Sequence, residues 1–62
     1  MTIEEAIEAV LITKVLTGNL KPDKVERYKV NLLHNYNHHR INAWTYPWVV
    51  EAMEVLRAND DR

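Results

Sequence analysis

Residues 14–25 read K-V-L-T-G-N-L-K-P-D-K-V, and two residues in this stretch, Gly18 and Pro22, decide the fold. Glycine is the usual left-handed residue just past the end of a helix. Proline suits the first turn of the next one, where its missing N–H has no partner to lose. The connector T-G-N-L-K is short, so the segments on either side are expected to be antiparallel helical neighbours.

Working back from Gly18, residues 2–17 carry helical periodicity. Thr2 and Glu5 have the spacing of a capping box, in which hydroxyl and carboxylate each satisfy a free backbone N–H. Glu4, Glu5 and Glu8 sit toward the positive end of the helix dipole and Lys14 toward the negative end. Ile3, Ile7, Val10 and Lys14 follow one row, with Ala6, Leu11 and Val15 beside it. Ile12 and Leu16 widen the apolar face until it needs more than one neighbour.

Working forward from Pro22, Val25, Tyr28, Leu32 and Tyr36 repeat at spacings of three and four, flanked by Val30 and Leu33. A second row runs through Leu33, Asn37, Arg40 or Ile41, and Trp44. The spacing predicts a second helix over 22–43, weakened from 35 onward by asparagine. Pro47 disfavours helical geometry at Tyr46, so a break falls near Thr45 or Tyr46. A third helix is expected over 46–58, with Trp48, Ala52 and Val55 beside Val49, Met53 and Leu56, and with Glu51, Glu54 and Arg57 pointing away. The fold class is all-α: one domain over residues 1–62, a helical hairpin plus a short third helix in a small bundle.

The chain has 62 residues, 47% of them apolar and 27% charged, with a net charge of −1 and no cysteine. A domain this small buries only about 60% of its unfolded surface and commonly needs a staple. Disulfides and thiolate zinc sites are excluded, which leaves packing, self-association or histidine-bound metal. The single glycine excludes glycine-rich phosphate loops and dinucleotide fingerprints. There is no basic surplus for a general grip on nucleic acid. No apolar run reaches the roughly 18 residues of a membrane span. The acidic start M-T-I-E-E-A-I-E is unlike a secretory signal, so the expected location is cytoplasmic.

All three histidines fall in residues 34–44, H-N-Y-N-H-H-R-I-N-A-W. Tyr46 and Trp48 follow around Pro47. Trp, Tyr and Arg dominate the hot spots of protein interfaces, so a partner-binding face is expected from His38, His39, Arg40, Trp44 and Tyr46. The partner is another protein, a second copy of the chain, or both; the wide apolar faces point to a homo-oligomer.

Two alternatives use the same stretch. A nucleotide or nucleic-acid contact would draw on Arg40, His38 and His39, with Tyr36 and Trp44 as rings on which a base stacks, Lys24 and Arg27 as a second basic group, and Asn35, Asn37 and Asn42 as donor–acceptor edges. A metal would draw on His34 and His38, four residues apart on one helix face. A closed site needs further ligands, and the neighbouring asparagines are poor ones. No metal or cofactor is therefore expected in one chain; four histidines meeting across an oligomer interface is the remaining form.

A helix-turn-helix would want a small residue four positions before the turn glycine, where Lys14 stands. Catalysis is not expected. Serine and cysteine are absent, and no carboxylate lies within 34–44 to orient a histidine base. The function read from sequence is a small non-enzymatic interaction protein, of the size and make of many accessory or inhibitory proteins of phages and mobile elements.

Overall fold

The computed structural model describes residues 1–40 and 45–60, which form three helices: α1 (Ile3–Leu16), α2 (Val25–Asn37) and α3 (Tyr46–Asp60). The capping box at the start of α1 is formed as its spacing requires. Thr2 Oγ1 accepts from the Glu5 N–H at 3.2 Å, and Glu5 Oε1 accepts from the Thr2 N–H at 2.9 Å. The backbone hydrogen bond from Thr2, then the one from its side chain, holds the Glu5 carboxyl below its ordinary pKa. A depressed carboxyl adds stability above its unfolded pKa, and that contribution is lost as pH falls through the lower folded value.

The end of α1 is a Schellman motif. The Gly18 N–H donates to the Val15 carbonyl at 3.1 Å and the Asn19 N–H to that of Lys14 at 2.8 Å, with Gly18 at φ +79°. Pro22 then opens a single 3-10 turn, Pro22–Lys24, that leads into α2.

The second helix is shorter than the sequence pattern suggests. It ends at Asn37, not near 43; His38 is its cap and His39 is left-handed at φ +53°. The same double bond recurs here: His39 N–H to Tyr36 O at 3.3 Å, Arg40 N–H to Asn35 O at 2.9 Å. Asparagine and histidine are mediocre helix formers and enter the left-handed region more readily than most residues. The run N-Y-N-H-H thus stops the helix without glycine. Residues 41–43, the rest of the expected extension, lie outside the described residues, as does Trp44.

The third helix starts where Pro47 places it. The Thr45 carbonyl accepts from the Trp48 N–H at 3.1 Å and the Val49 N–H at 3.0 Å. Pro47 is in the first turn, where no amide hydrogen is needed.

The apolar core takes Ala6, Ile7, Val10 and Leu11 from α1, Leu32 from α2, and Val49 and Ala52 from α3. α1 packs against both other helices, which touch each other less. Half-buried side chains close the edges, among them Ile3, Tyr28, Leu33, Tyr36, Trp48 and Val55. The Trp48 ring lies 5.6 Å from that of Tyr28, and Lys14 Nζ sits 5.6 Å from the Trp48 ring centre.

Two expectations about outward faces change. Lys14 does not point into the core; it bridges helices by pairing with Glu51 at 3.1 Å, so Glu51 reaches α1 while its side chain stays half-exposed. Val30, Ile12, Leu16 and Met53, all placed on apolar rows by periodicity, remain exposed. Lys29 reaches Glu4 and Glu8, each at 3.4 Å, and the Glu4 bond, then Glu8, raises its pKa above the ordinary lysine value. A raised lysine adds stability below its unfolded pKa that is lost as pH rises through the folded one, a window far into alkali. Surface pairs of this kind contribute little.

Candidate interaction groove

The C-terminal turn of α2 and the first turns of α3 are joined by a buried polar contact. Asn35 Nδ2 donates to Thr45 Oγ1 at 2.9 Å and to Asn31 Oδ1 at 3.3 Å, and both Asn35 and Thr45 are buried. Asn35 is therefore not the solvent-facing edge for a ligand base that its neighbours suggested. Its carboxamide is consumed in joining the helices. Thr45, the residue just before α3, is the other half of the joint.

Beside this joint the two helices leave a depression of about 550 Å³. Tyr36, Tyr46, Val49 and Met53 line its apolar part, and Asn37, His39 and Arg40 its polar part. A second depression of about 630 Å³ shares Tyr36, Tyr46 and Met53 and continues along α3 to Val50, Leu56 and Arg57, with Glu54 its one acidic residue. Together they form one groove. Its walls leave Tyr46 43% and Met53 48% exposed, high for residues of that size and polarity.

Of the five residues expected to form a partner-binding face, the groove gathers His39, Arg40 and Tyr46. His38 does not line it. That ring lies 4.3 Å from His34, tilted by 37°, and both are exposed. Trp44 lies outside the described residues. Tyr36, expected only as a stacking ring for a base, is a groove residue. Val50, Met53 and Arg57 also line the groove and were not singled out by the sequence. Met53 was hidden by its place in an apolar row, which read as core.

The two basic groups of the nucleic-acid alternative do not meet. Lys24 and Arg27 stand at the start of α2 and Arg40 beyond its end. From Arg27 to the end of α2 at Asn37 is ten residues, roughly 15 Å at helical rise, and Arg40 lies beyond that end. All of them are exposed. Among the described residues no group of three or more metal-ligating side chains is found. No helix among them is long and apolar enough to cross a membrane.

His39 sits in a conformation that disfavours a side chain, and its role in the cap is carried by its backbone. Replacing it with glycine should relieve the left-handed penalty, partly offset by the greater freedom of the unfolded chain. The expected result is stabilisation by about 0.5–1 kcal/mol. Urea unfolding of His39→Gly checks this; a loss of stability would mean the imidazole makes a contact worth more than the strain.

No protein family, curated protein or solved structure matches this chain.

Proposed function

We propose that this chain is a non-enzymatic interaction module that seats a segment of a partner protein in the groove between α2 and α3. The observation that carries this reading is the exposure of Tyr46 and Met53 on a continuous apolar floor with Arg40, His39 and Arg57 around it. An aromatic–aliphatic floor excludes water from an apolar anchor, and a flanking arginine fixes orientation through a carboxylate. Glu54 is the single acidic counterweight among the described residues that line the groove. The occupant is accordingly a peptide segment with an aromatic or aliphatic anchor beside an aspartate or glutamate.

The test is selection from a displayed library of random peptides on the immobilised full chain. Selected peptides should pair an apolar anchor with an acidic neighbour and should shift the amide resonances of Tyr46 and Met53. Tyr46→Ala should weaken them by about 2 kcal/mol, the threshold of an interface hot spot, without unfolding the exposed site. Peptides without acidic residues, or normal binding by Tyr46→Ala, would refute the assignment. Light scattering of the chain alone is the companion measurement. A dimer that buries Tyr46 would put a second copy, not a foreign segment, in the groove.

A further inference from the structure

The geometry points to a second site, independent of the groove: an open, two-imidazole site for a divalent transition-metal cation on the last turn of α2, formed by His34 and His38. Three observations lead to it. The His38 N–H donates to the His34 carbonyl at 3.0 Å, so the two residues stay one helical turn apart although His38 is already the cap. Their rings are 4.3 Å apart, centre to centre. Both side chains are exposed, and neither lines the groove.

Two nitrogens bound at right angles, each about 2.0–2.1 Å from one ion, stand roughly 2.9 Å apart. Rings 4.3 Å apart, centre to centre, are near enough for side-chain rotation to bring one nitrogen of each toward that spacing. The C-terminal end of a helix carries partial negative charge and favours a cation. Among the described residues neither imidazole is taken up by a hydrogen bond or an ion pair.

The ligand set also selects the ion. Imidazole suits copper, nickel and zinc, whereas magnesium and calcium want oxygen. Two protein ligands leave the remaining positions to water, so the site needs no third side chain and no second chain. Affinity should follow the general order for nitrogen donors, with Cu²⁺ ahead of Ni²⁺ and Zn²⁺. An ion that bridges the last turn of α2 and its cap holds the end of the helix closed. Binding to the folded form alone raises the melting temperature.

The experiment titrates the full chain with CuCl₂, NiCl₂ and ZnCl₂ in a non-coordinating buffer. Calorimetry gives stoichiometry and affinity, and electron paramagnetic resonance of the copper form counts nitrogen ligands. One ion per chain, two imidazole nitrogens and the order copper above nickel and zinc are expected, with no response to MgCl₂. His34→Asn or His38→Asn should lower copper affinity by roughly a hundredfold, the advantage of a second tethered ligand. His39→Asn, which keeps a residue tolerant of the left-handed cap, should bind as the parent does. Circular dichroism of the exposed-site variants should be unchanged. Absence of saturable binding overturns the site. So does undiminished binding by His34→Asn, which would place the ion elsewhere. Half an ion per chain with a doubled mass overturns it in favour of a bridge between two chains. Tyr46→Ala should leave metal affinity untouched, which separates this site from the groove.

Discussion

Leu32→Ala should remove about half of the protein's folding stability at 25 °C. Leu32 is 0% exposed and is the one residue by which α2 enters the buried apolar core; α1 contributes four and α3 two. The half-buried Val25, Tyr28, Leu33 and Tyr36 surround it but do not replace it at the centre. Truncation removes its transfer free energy and leaves a cavity between rigid helices, about 2–5 kcal/mol together. A folded domain holds about 0.05–0.15 kcal/mol per residue, so a chain of this length has roughly 3–9 kcal/mol in all. At the middle of both ranges the loss is about half of the whole. Urea unfolding followed by circular dichroism should show the transition midpoint at roughly half the parent's denaturant concentration. Val30→Ala is the matched control: Val30 lies on the same helix but is 62% exposed, and its removal should change stability by less than about 0.5 kcal/mol. If the two variants were equally stable, α2 would not be docked through Leu32.

The contrast between Leu32 and Val30 also marks what sequence can and cannot say about this chain. Local signals were legible. The Thr2–Glu5 box, the Gly18 stop, and the two prolines at helix starts each act within one turn, and each is formed. Three helices and their order follow from those marks. Which apolar residues become core was less legible, because periodicity gives a face and not its neighbours. Two adjacent rows run along α3, through Ala52 and through Met53. The structure takes one buried residue from each row, Ala52 and Val49, and leaves Met53 exposed in the groove. On α1 the same ambiguity leaves Ile12 and Leu16 outside.

The end of α2 was not legible for a different reason. Asn37, His38 and His39 all tolerate a left-handed backbone better than most residues, and nothing in the pattern picks one. The structure picks His39, because that choice lets Arg40 and His39 donate to Asn35 and Tyr36 together. The turn then separates the histidines. His39 goes to the groove with Arg40, and His38 stays with His34 outside it. A single histidine-rich stretch read as one surface is thus divided between two. The Asn35–Thr45 contact had no sequence signal at all, since it joins residues ten apart across a helix end.

That contact carries the second large prediction. α2 and α3 each pack mainly on α1 and meet directly through the Tyr28 and Trp48 rings and this joint, which is the polar contact beside the groove. Asn35 has two amide hydrogens and places one on Thr45 and one on Asn31. Thr45→Val keeps the shape and removes the acceptor, leaving a buried N–H without a partner, a penalty of about 1–3 kcal/mol. Asn35→Leu instead strands the Thr45 hydroxyl, with a similar penalty. When both partners become apolar, neither is stranded, and replacement of a whole buried pair is often nearly neutral. The double variant Asn35→Leu, Thr45→Val should therefore be more stable than the sum of the single losses, with a coupling of about 0.5–3 kcal/mol in a double-mutant cycle. Asn31 is exposed and recovers its lost bond from water. Two leucine- and valine-like surfaces have no preferred register, however, whereas an amide and a hydroxyl at 2.9 Å have one. The double variant is expected to fold but to lose affinity for groove peptides, because the floor formed by Tyr36, Tyr46 and Met53 is no longer held at one width. Additive losses in the cycle would show that the two side chains act separately. Full stability with unchanged peptide affinity would show that packing alone sets the groove.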